Sequence, residues 1–245
     1  MYRFFVNESQ IFQEMICITG ADVNHIKNVL RMKPGETVLI SNGADREYKC
    51  VLVEISDDEV KARIEDVNGP ARELPIKVTL FQALPKGDKM ETVIQKMIEL
   101  GVWEIVPVFT KRCIVKLDDK KAVAKTKRWN AIAESAAKQS KRGIIPRVTM
   151  PISYKKALEK AKEMDIVLIP YEEAENMMHT REIISKIKPG MSVGVFIGPE
   201  GGFAPEEVEQ AIDSGAFDIT LGKRILRTET AGMALMAVLM FQSEE

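Results

Sequence analysis

Residues 195–203 read VFIGPEGGF, and the chain continues as APEEVE over residues 204–209. An apolar run ends here in a glycine-rich turn, and Pro205 followed by two acids is typical of a helix N-terminus. Ala204 falls at the N-cap position, for which alanine is a poor residue. Glycines in such a turn permit positive φ and leave backbone groups open to a ligand. The stretch predicts a strand, a turn and a helix, and the turn is either a ligand site or only a tight connection.

Strands and helices alternate on both sides of this stretch. Apolar runs predict strands at residues 77–83, 105–109, 166–171, 193–197 and 219–221. Met90, Val93, Ile94 and Met97 recur at helical spacing between the first two. This alternation favours a largely parallel sheet covered by helices on both faces. Ligands of such sheets bind outside the carboxyl ends of the strands, where the glycine-rich turn lies.

The N-terminal part of the chain has a different pattern. Short apolar alternations at residues 37–40, 48–55 and 60–64 predict strands, and Asn42-Gly43 is a strong hairpin signal. Residues 25–31 predict a short helix. We therefore expect a small antiparallel β-barrel over residues 1–70 and an α/β domain over residues 71–245, with Asn68-Gly69-Pro70 as the linker.

The composition of the 245 residues excludes several protein classes. Hydrophobic residues make up 45% and charged residues 29%, which is ordinary for a globular protein. Three cysteines without a C-x-x-C pair and two histidines argue against a disulfide framework or a zinc site. The apolar run at residues 231–241 is too short to span a bilayer. We expect a cytoplasmic protein with no metal and no membrane partner.

Positive charge is concentrated in the middle of the chain. The net charge is −1, yet residues 111–147 contain twelve basic residues and three acidic ones. Clustered Lys and Arg are the expected footprint of phosphate contacts. The alternative interpretation is a solvated helix face.

A second polar constellation lies at residues 221–231, which read LGKRILRTETA. A predicted strand ends at Gly222, and the polar loop after it runs into an apolar helix. Thr228 and Thr230 are both plausible N-caps for that helix. The segment is either a second ligand-binding strand end or a capped helix start with surface charges.

Together these two stretches resemble the signature of the bacterial 16S rRNA (uracil-N3) methyltransferase family, ribosomal small-subunit methyltransferase E, of the SPOUT class. HIKNVLRMKPGE from His25, the segment that begins LPKGDKMETVIQKMIELG at Leu84, and AAKQSKRGIIP from Ala136 are similar to further motifs of that family. The resemblance covers nearly the whole chain. Ser135, Lys138 and Ala204 are small departures from the family pattern.

The resemblance implies a C-terminal α/β domain with a trefoil knot and a mostly parallel sheet, a PUA-like N-terminal barrel, and a homodimer. It implies that S-adenosylmethionine binds at the loops around residues 169–171, 198–202 and 221–231. The cofactor-binding residues expected on this basis are Pro170, Ile197, Gly198, Glu200, Gly201, Leu221, Gly222, Ile225, Leu226, Thr230 and Ala231.

The resemblance also implies a reaction, methylation of N3 of a uridine in small-subunit (16S) rRNA within the assembled subunit. Arg227 is the expected cation that stabilises the uracil anion, with Glu200 and Glu229 as proton acceptors or orienting groups. The alternative for each glutamate is a structural role, with hydrogen bonds to the backbone of a turn or helix start. The RNA-binding residues expected are Arg3, His25, Arg31, Arg112, Lys141 and Arg142. Two alternatives remain: a SPOUT enzyme acting on a 2′-hydroxyl or on tRNA, and a non-catalytic RNA-binding protein.

Overall fold

The computed structural model describes residues 1–44, 46–69, 72–174 and 176–244. The chain divides into two compact units. The first comprises Met1–Glu73 together with Ala137–Ile145, and the second comprises Leu74–Ala136 together with Pro146–Glu245. The predicted boundary falls on Pro70 and Ala71, which lie outside the described residues, so that boundary stays a prediction.

The first unit is built on a five-stranded sheet in the order β1-β3-β4-β5-β2. Its strands are β1 (Arg3–Phe5), β2 (Met15–Thr19), β3 (Thr37–Ser41), β4 (Glu47–Ile55) and β5 (Glu59–Asn68). β1 runs parallel to β3, and the other neighbours are antiparallel. Alternate residues of β3 and β4, such as Val38, Ile40, Cys50 and Leu52, are buried because side chains of a strand point to opposite faces in turn.

The helix predicted at residues 25–31 differs in the structure. Helix α1 (Ala21–Asn24) begins four residues earlier and continues into one π-helical turn at His25–Val29. Arg31 then takes the left-handed conformation, with φ of 52°. π-Helical turns are rare in proteins, and those that occur often lie at functional sites.

The second unit is a parallel α/β sheet in the order β12-β10-β11-β6-β7-β8, with β9 also paired to β7. Its strands are β6 (Lys77–Ala83), β7 (Glu104–Phe109), β8 (Arg147–Val148), β9 (Ile152–Ser153), β10 (Ile166–Pro170), β11 (Ser192–Ile197) and β12 (Phe217–Ile219). All strand pairings of this sheet among the described residues are parallel. The predicted mostly parallel sheet is therefore confirmed.

Helices α2 (Lys89–Glu99), α3 (Asp119–Gln139), α4 (Tyr154–Ala161), α5 (Met177–Ser185), α6 (Pro205–Asp213) and α7 (Thr228–Ser243) connect or follow these strands. The central strands β6 and β11 are buried along almost their whole length, as in a sheet with both faces covered. Among the described helices, none is long and apolar enough to cross a membrane. The trefoil knot stays a prediction.

The strand predicted at residues 219–221 was placed two residues too late. β12 ends at Ile219, whose pairing partner is Pro170 of β10. The backbone N–H of Thr220 donates instead to the hydroxyl of Thr180, at 3.0 Å. Gly222 has φ of 102°, which turns the chain away from the sheet.

Candidate functional site

The second unit contains a cavity of about 570 Å³ at the carboxyl ends of three neighbouring strands. The segments that follow β10, β11 and β12 form most of its wall, because parallel strands bring their carboxyl ends to one edge of the sheet. The lining residues are Lys89, Pro170, Tyr171, Glu172, Ile197, Gly198, Pro199, Glu200, Gly201, Gly202, Phe203, Thr220, Leu221, Gly222, Arg224, Ile225, Leu226, Arg227, Thr228 and Ala231.

The turn at residues 198–202 requires glycine at its first position. A Cβ on Gly198 would lie 3.2 Å from backbone atoms of Gly202 and Phe203, a tighter contact than real side chains usually make. The chain therefore folds back on itself so closely that a Cβ would fit only if the neighbouring backbone moved by a few tenths of an ångström. Gly202 has φ of 65° and donates its N–H to the carbonyl of Pro199, at 2.9 Å. These contacts form the compact turn that walls the cavity.

Glu207, at the third position of α6, forms the N3 half of a capping box, while Ala204 at the N-cap has no side-chain acceptor. Glu207 Oε2 accepts the backbone N–H of Ala204 at 3.0 Å, and its Oε1 accepts the backbone N–H of Lys111 at 2.8 Å. Arg112 Nη1 also donates to the carbonyl of Gly201, at 2.8 Å. The segment after β7 thus holds the end of the turn and the start of α6, which the sequence alone did not indicate.

Thr228 joins two walls of the cavity. Its hydroxyl donates to the carbonyl of Gly198 at 2.6 Å and accepts from Gln82 Nε2 at 2.9 Å. The prediction of Thr228 or Thr230 as N-cap is wrong: α7 begins at Thr228, and the N-cap position is Arg227, which makes no side-chain cap. The hydroxyl of Thr228 holds the neighbouring turn instead of capping its own helix.

Lys89, which the sequence did not single out, lies between two of the predicted catalytic carboxylates. Its Nζ is 3.0 Å from Oε1 of Glu200 and 3.8 Å from Oε2 of Glu229. Oε2 of Glu229 is buried and has no hydrogen-bond partner among the described residues. One ammonium group therefore lies close to two carboxylates that come from different segments.

The ion pair with Lys89 contributes to a lowered pKa of the Glu200 carboxyl. Partial burial raises the pKa of its carboxyl, but hydrogen bonds from Lys89 and from backbone N–H groups outweigh burial and lower the pKa below its ordinary value. One of these backbone donors is Lys86 N, at 3.1 Å. Glu200 is therefore ionised at neutral pH and is a weaker base than a free glutamate.

Known proteins resemble the whole chain. A family described as "RNA methyltransferase domain" matches residues 72–240, and one described as "RNA methyltransferase PUA domain" matches residues 18–65. Ribosomal RNA small subunit methyltransferase E of Bacillus subtilis (strain 168) is 38% identical over 100% of this chain and 98% of its own length. The chain belongs to the ribosomal RNA small subunit methyltransferase E family.

Other members of the methyltransferase E family agree with this assignment. The protein of Mesomycoplasma hyopneumoniae (strain 232) is 38% identical over 96% of this chain and 97% of its own. The solved structure of the Neisseria gonorrhoeae protein, bound to S-adenosyl methionine, is 33% identical, covers 98% of this chain and 96% of its own, and superposes with a TM-score of 0.84. The predicted family and the PUA-like character of the N-terminal unit are confirmed.

The cavity brings together ten of the eleven residues that the family resemblance assigned to the cofactor. Thr230 is exposed and is not among the lining residues. Arg227 lines the cavity and is exposed, whereas Glu229 is not among the lining residues and its side chain is 19% exposed. The roles of all these residues stay predictions.

Two of the expected RNA-binding residues are buried in the first unit. The side chain of Arg3 is 4% exposed and pairs with Glu47 at 2.6 Å. The side chain of Arg142 is also 4% exposed and pairs with Glu73, which approaches its Nε to 3.1 Å. Because guanidinium groups in buried ion pairs are not presented to RNA, their placement argues against the predicted RNA contacts and favours a structural role.

The other four expected RNA-binding residues are exposed. His25 begins the π-helical turn, and Arg31 and Lys141 are the two non-glycine residues with positive φ among those described. Arg112 is the exposed residue that already donates to Gly201. RNA contact by these four stays a prediction. The described residues contain no group of three His, Cys, Asp or Glu side chains that could hold a metal ion.

Proposed function

We propose that this protein transfers a methyl group from S-adenosylmethionine to N3 of a uridine in 16S rRNA within the assembled small subunit, and that it works as a cytoplasmic homodimer. The cavity at the ends of β10, β11 and β12 carries the proposal. Its volume of about 570 Å³ is in the range of small-molecule sites. The Neisseria gonorrhoeae relative, which is bound to S-adenosyl methionine, supports the same ligand here.

The residues of the cavity fit a bound methyl donor. The glycine turn exposes backbone groups for hydrogen bonds to a polar ligand, and Ile197, Leu221 and Leu226 offer apolar surface to a flat ring. S-adenosylmethionine, when bound, supplies an electrophilic methyl group. Alignment of this methyl with the acceptor is the main contribution of the protein, because proximity replaces a bimolecular encounter.

Arg227 is the residue that we assign to the acceptor. Uracil N3 carries a proton, so the nitrogen becomes nucleophilic only as that proton leaves. A guanidinium beside the base stabilises the uracil anion and stays charged at every working pH. The new bond joins the methyl carbon to N3 while the bond from that carbon to sulfur breaks.

Glu200 and Glu229 act as orienting groups in this proposal. Both carboxylates lie next to the ammonium of Lys89, which makes Glu200 a weaker proton acceptor. The N3 proton passes to water at the open face of the site. Since N3 lies on the Watson–Crick edge, the target uridine must be unpaired or extruded before it enters the cavity.

Exposed apolar side chains support the homodimer. Ile225 of the cavity loop is 87% exposed, and Val238 and Phe241 on α7 are 47% and 80% exposed. Val238 and Phe241 lie three residues apart on one face of α7, and large apolar groups exposed together are typical of an interaction surface. A second copy of the chain is the occupant that we propose, and light scattering on the purified protein is expected to give the mass of a dimer.

Methylation of ribosomal subunits tests the function directly. Small subunits from a strain that lacks the enzyme are incubated with the protein and labelled S-adenosylmethionine, and the RNA is digested to nucleosides. We expect the label in 3-methyluridine of 16S rRNA. Label only in ribose, or only in tRNA, contradicts the proposal, and absence of cofactor binding in calorimetry favours a non-catalytic RNA-binding protein.

Arg227→Ala tests the assignment of the cation. Removal of a charge that acts mainly in the transition state is expected to lower turnover about 100-fold, with cofactor affinity changed far less. Arg227→Lys keeps a positive charge and is expected to retain more activity. Equal losses of turnover and cofactor affinity place Arg227 in cofactor binding instead.

A further inference from the structure

The loop at residues 222–227 presents a cluster of cations at the mouth of the cavity. Lys223, Arg224 and Arg227 are all exposed, and two of them, Arg224 and Arg227, line the cavity. Gly222, with φ of 102°, reverses the chain just before Lys223 and Arg224, and its N–H donates to the hydroxyl of Thr220 at 3.2 Å. The hydrogen bond at Gly222 thus fixes the start of the loop that carries the three cations.

The charges of this loop are not balanced within the protein. Lys223, Arg224 and Arg227 have no ion pair and no side-chain hydrogen bond with any described residue. The other basic residues beside the glycine turn differ: Lys89 pairs with Glu200, Lys111 pairs with Glu206, and Arg112 donates to a carbonyl. The chain as a whole has a net charge of −1, but these three cations make the loop locally positive. A locally positive surface attracts an external anion.

We infer that Lys223 and Arg224 form a subsite for the RNA phosphates on either side of the target uridine. The inference rests on the proposed function, because a uridine that enters the cavity leaves its own two phosphates at the mouth. Those phosphates carry one negative charge each, and Arg and Lys are the side chains that pair with them. Arg227, nearer the base, keeps its catalytic role.

The subsite predicts a specific salt dependence. A protein that neutralises phosphates of single-stranded RNA releases about 0.7 counterions per contact, so the slope of log affinity against log salt reports the number of contacts. Removal of two contacts is expected to reduce that slope by about 1.4 and to weaken binding about tenfold near physiological salt. Cofactor affinity is expected to fall less than subunit affinity, because Lys223 does not line the cavity and Arg224 is placed toward the RNA.

The experiment measures binding of unmethylated small ribosomal subunits over a range of KCl concentrations, for the wild-type protein and for Lys223→Gln/Arg224→Gln. The matched control is Lys155→Gln/Lys156→Gln, which removes two consecutive exposed cations of α4 that do not line the cavity. We expect the control to keep the wild-type affinity and to lose less of the slope than the loop variant. Calorimetry with S-adenosylmethionine is run on all three proteins.

Each outcome decides between the two proposals. An unchanged slope in the loop variant, or a slope that falls equally in the control, overturns the subsite. A selective loss of S-adenosylmethionine binding assigns the cations to the cofactor and also overturns it. If the loop variant loses the expected slope and the control does not, but the wild-type protein transfers no methyl group, the subsite stands and the proposed reaction fails. Absence of subunit binding overturns both.

Discussion

At the scale of single residues, the partners of Thr228 fix which atom donates in each of its hydrogen bonds. The carbonyl of Gly198 can only accept, so the hydroxyl of Thr228 donates to it and has a lone pair left for Gln82. The carbonyl of Ala83 likewise accepts from Gln82 Nε2, at 2.9 Å. This orients the buried amide and links β6, the glycine turn and α7. We therefore expect Thr228 to position the two cavity walls.

Thr228→Val is expected to weaken S-adenosylmethionine binding about tenfold, because the carbonyl of Gly198 loses its buried donor at a cost of about 1–3 kcal/mol. Valine has nearly the shape of threonine, so the packing is preserved. Thr228→Ser keeps the hydroxyl and is the matched control, with an expected affinity close to wild type. Calorimetry measures both, and equal affinities of the two variants contradict the positioning role.

Lys89 shows why a residue of the site escapes sequence reasoning. It lies at the start of an amphipathic helix, where an exposed lysine on the polar face is ordinary. Its partners are Glu200 and Glu229, more than a hundred residues further along the chain. Only the fold brings the three charges together, so no spacing in the sequence reports the contact.

At the scale of elements, the turn between β11 and α6 combines several local requirements. Gly198 is needed for close backbone approach, Gly202 for positive φ, and Glu207 for the helix cap. Each of these requirements involves different atoms, and all of them lie within residues 198–207. The sequence predicted the strand, the turn and the helix here because all three signals are local.

Gly198→Ala is expected to lower the free energy of unfolding by about 1–3 kcal/mol, because the new Cβ meets backbone 3.2 Å away and the turn must shift. Gly201→Ala is the control for stability: a Cβ there would lie 3.7 Å from side-chain atoms of Arg112, an ordinary contact. Urea denaturation measures both variants. A loss from Gly201→Ala as large as that from Gly198→Ala contradicts the steric explanation.

At the scale of the whole molecule, the first unit is not one continuous stretch of the chain. This is the main difference from the two consecutive domains that the sequence predicts. The unit takes in Ala137–Ile145, which no contiguous boundary near residue 70 includes. Gly43 pairs with Ile144 in an isolated parallel bridge, and the hydroxyl of Ser41 donates to the carbonyl of Gly143. Arg142 and Glu73 bring opposite charges into the same buried region.

Glu73→Gln is expected to destabilise the protein by about 3–5 kcal/mol, because the buried guanidinium of Arg142 loses the carboxylate that balances it. Differential scanning calorimetry measures the change. Glu54→Gln is the control, since Glu54 pairs with Lys61 on the surface, where ion pairs contribute little. Similar melting temperatures for Glu73→Gln and the wild type contradict a structural role of the buried pair.

The sequence by itself determined the order of the elements in the α/β unit, the position of the glycine turn and the family. These features depend on periodicity, on glycine and proline placement, and on motifs, all of which act over a few neighbouring residues. Ten of the eleven cofactor positions inferred from the family resemblance also came together around one cavity.

Only the tertiary structure decided which charges are buried and which stay open. It paired Arg3 with Glu47 and Arg142 with Glu73 and placed Lys89 between Glu200 and Glu229. It left Arg224 exposed at the cavity, with Lys223 exposed next to it in the chain. The sequence does not distinguish a buried arginine from an exposed one. The role of an arginine depends on the carboxylates within a few ångströms, and those come from distant parts of the chain that strand pairing and packing bring together within each unit.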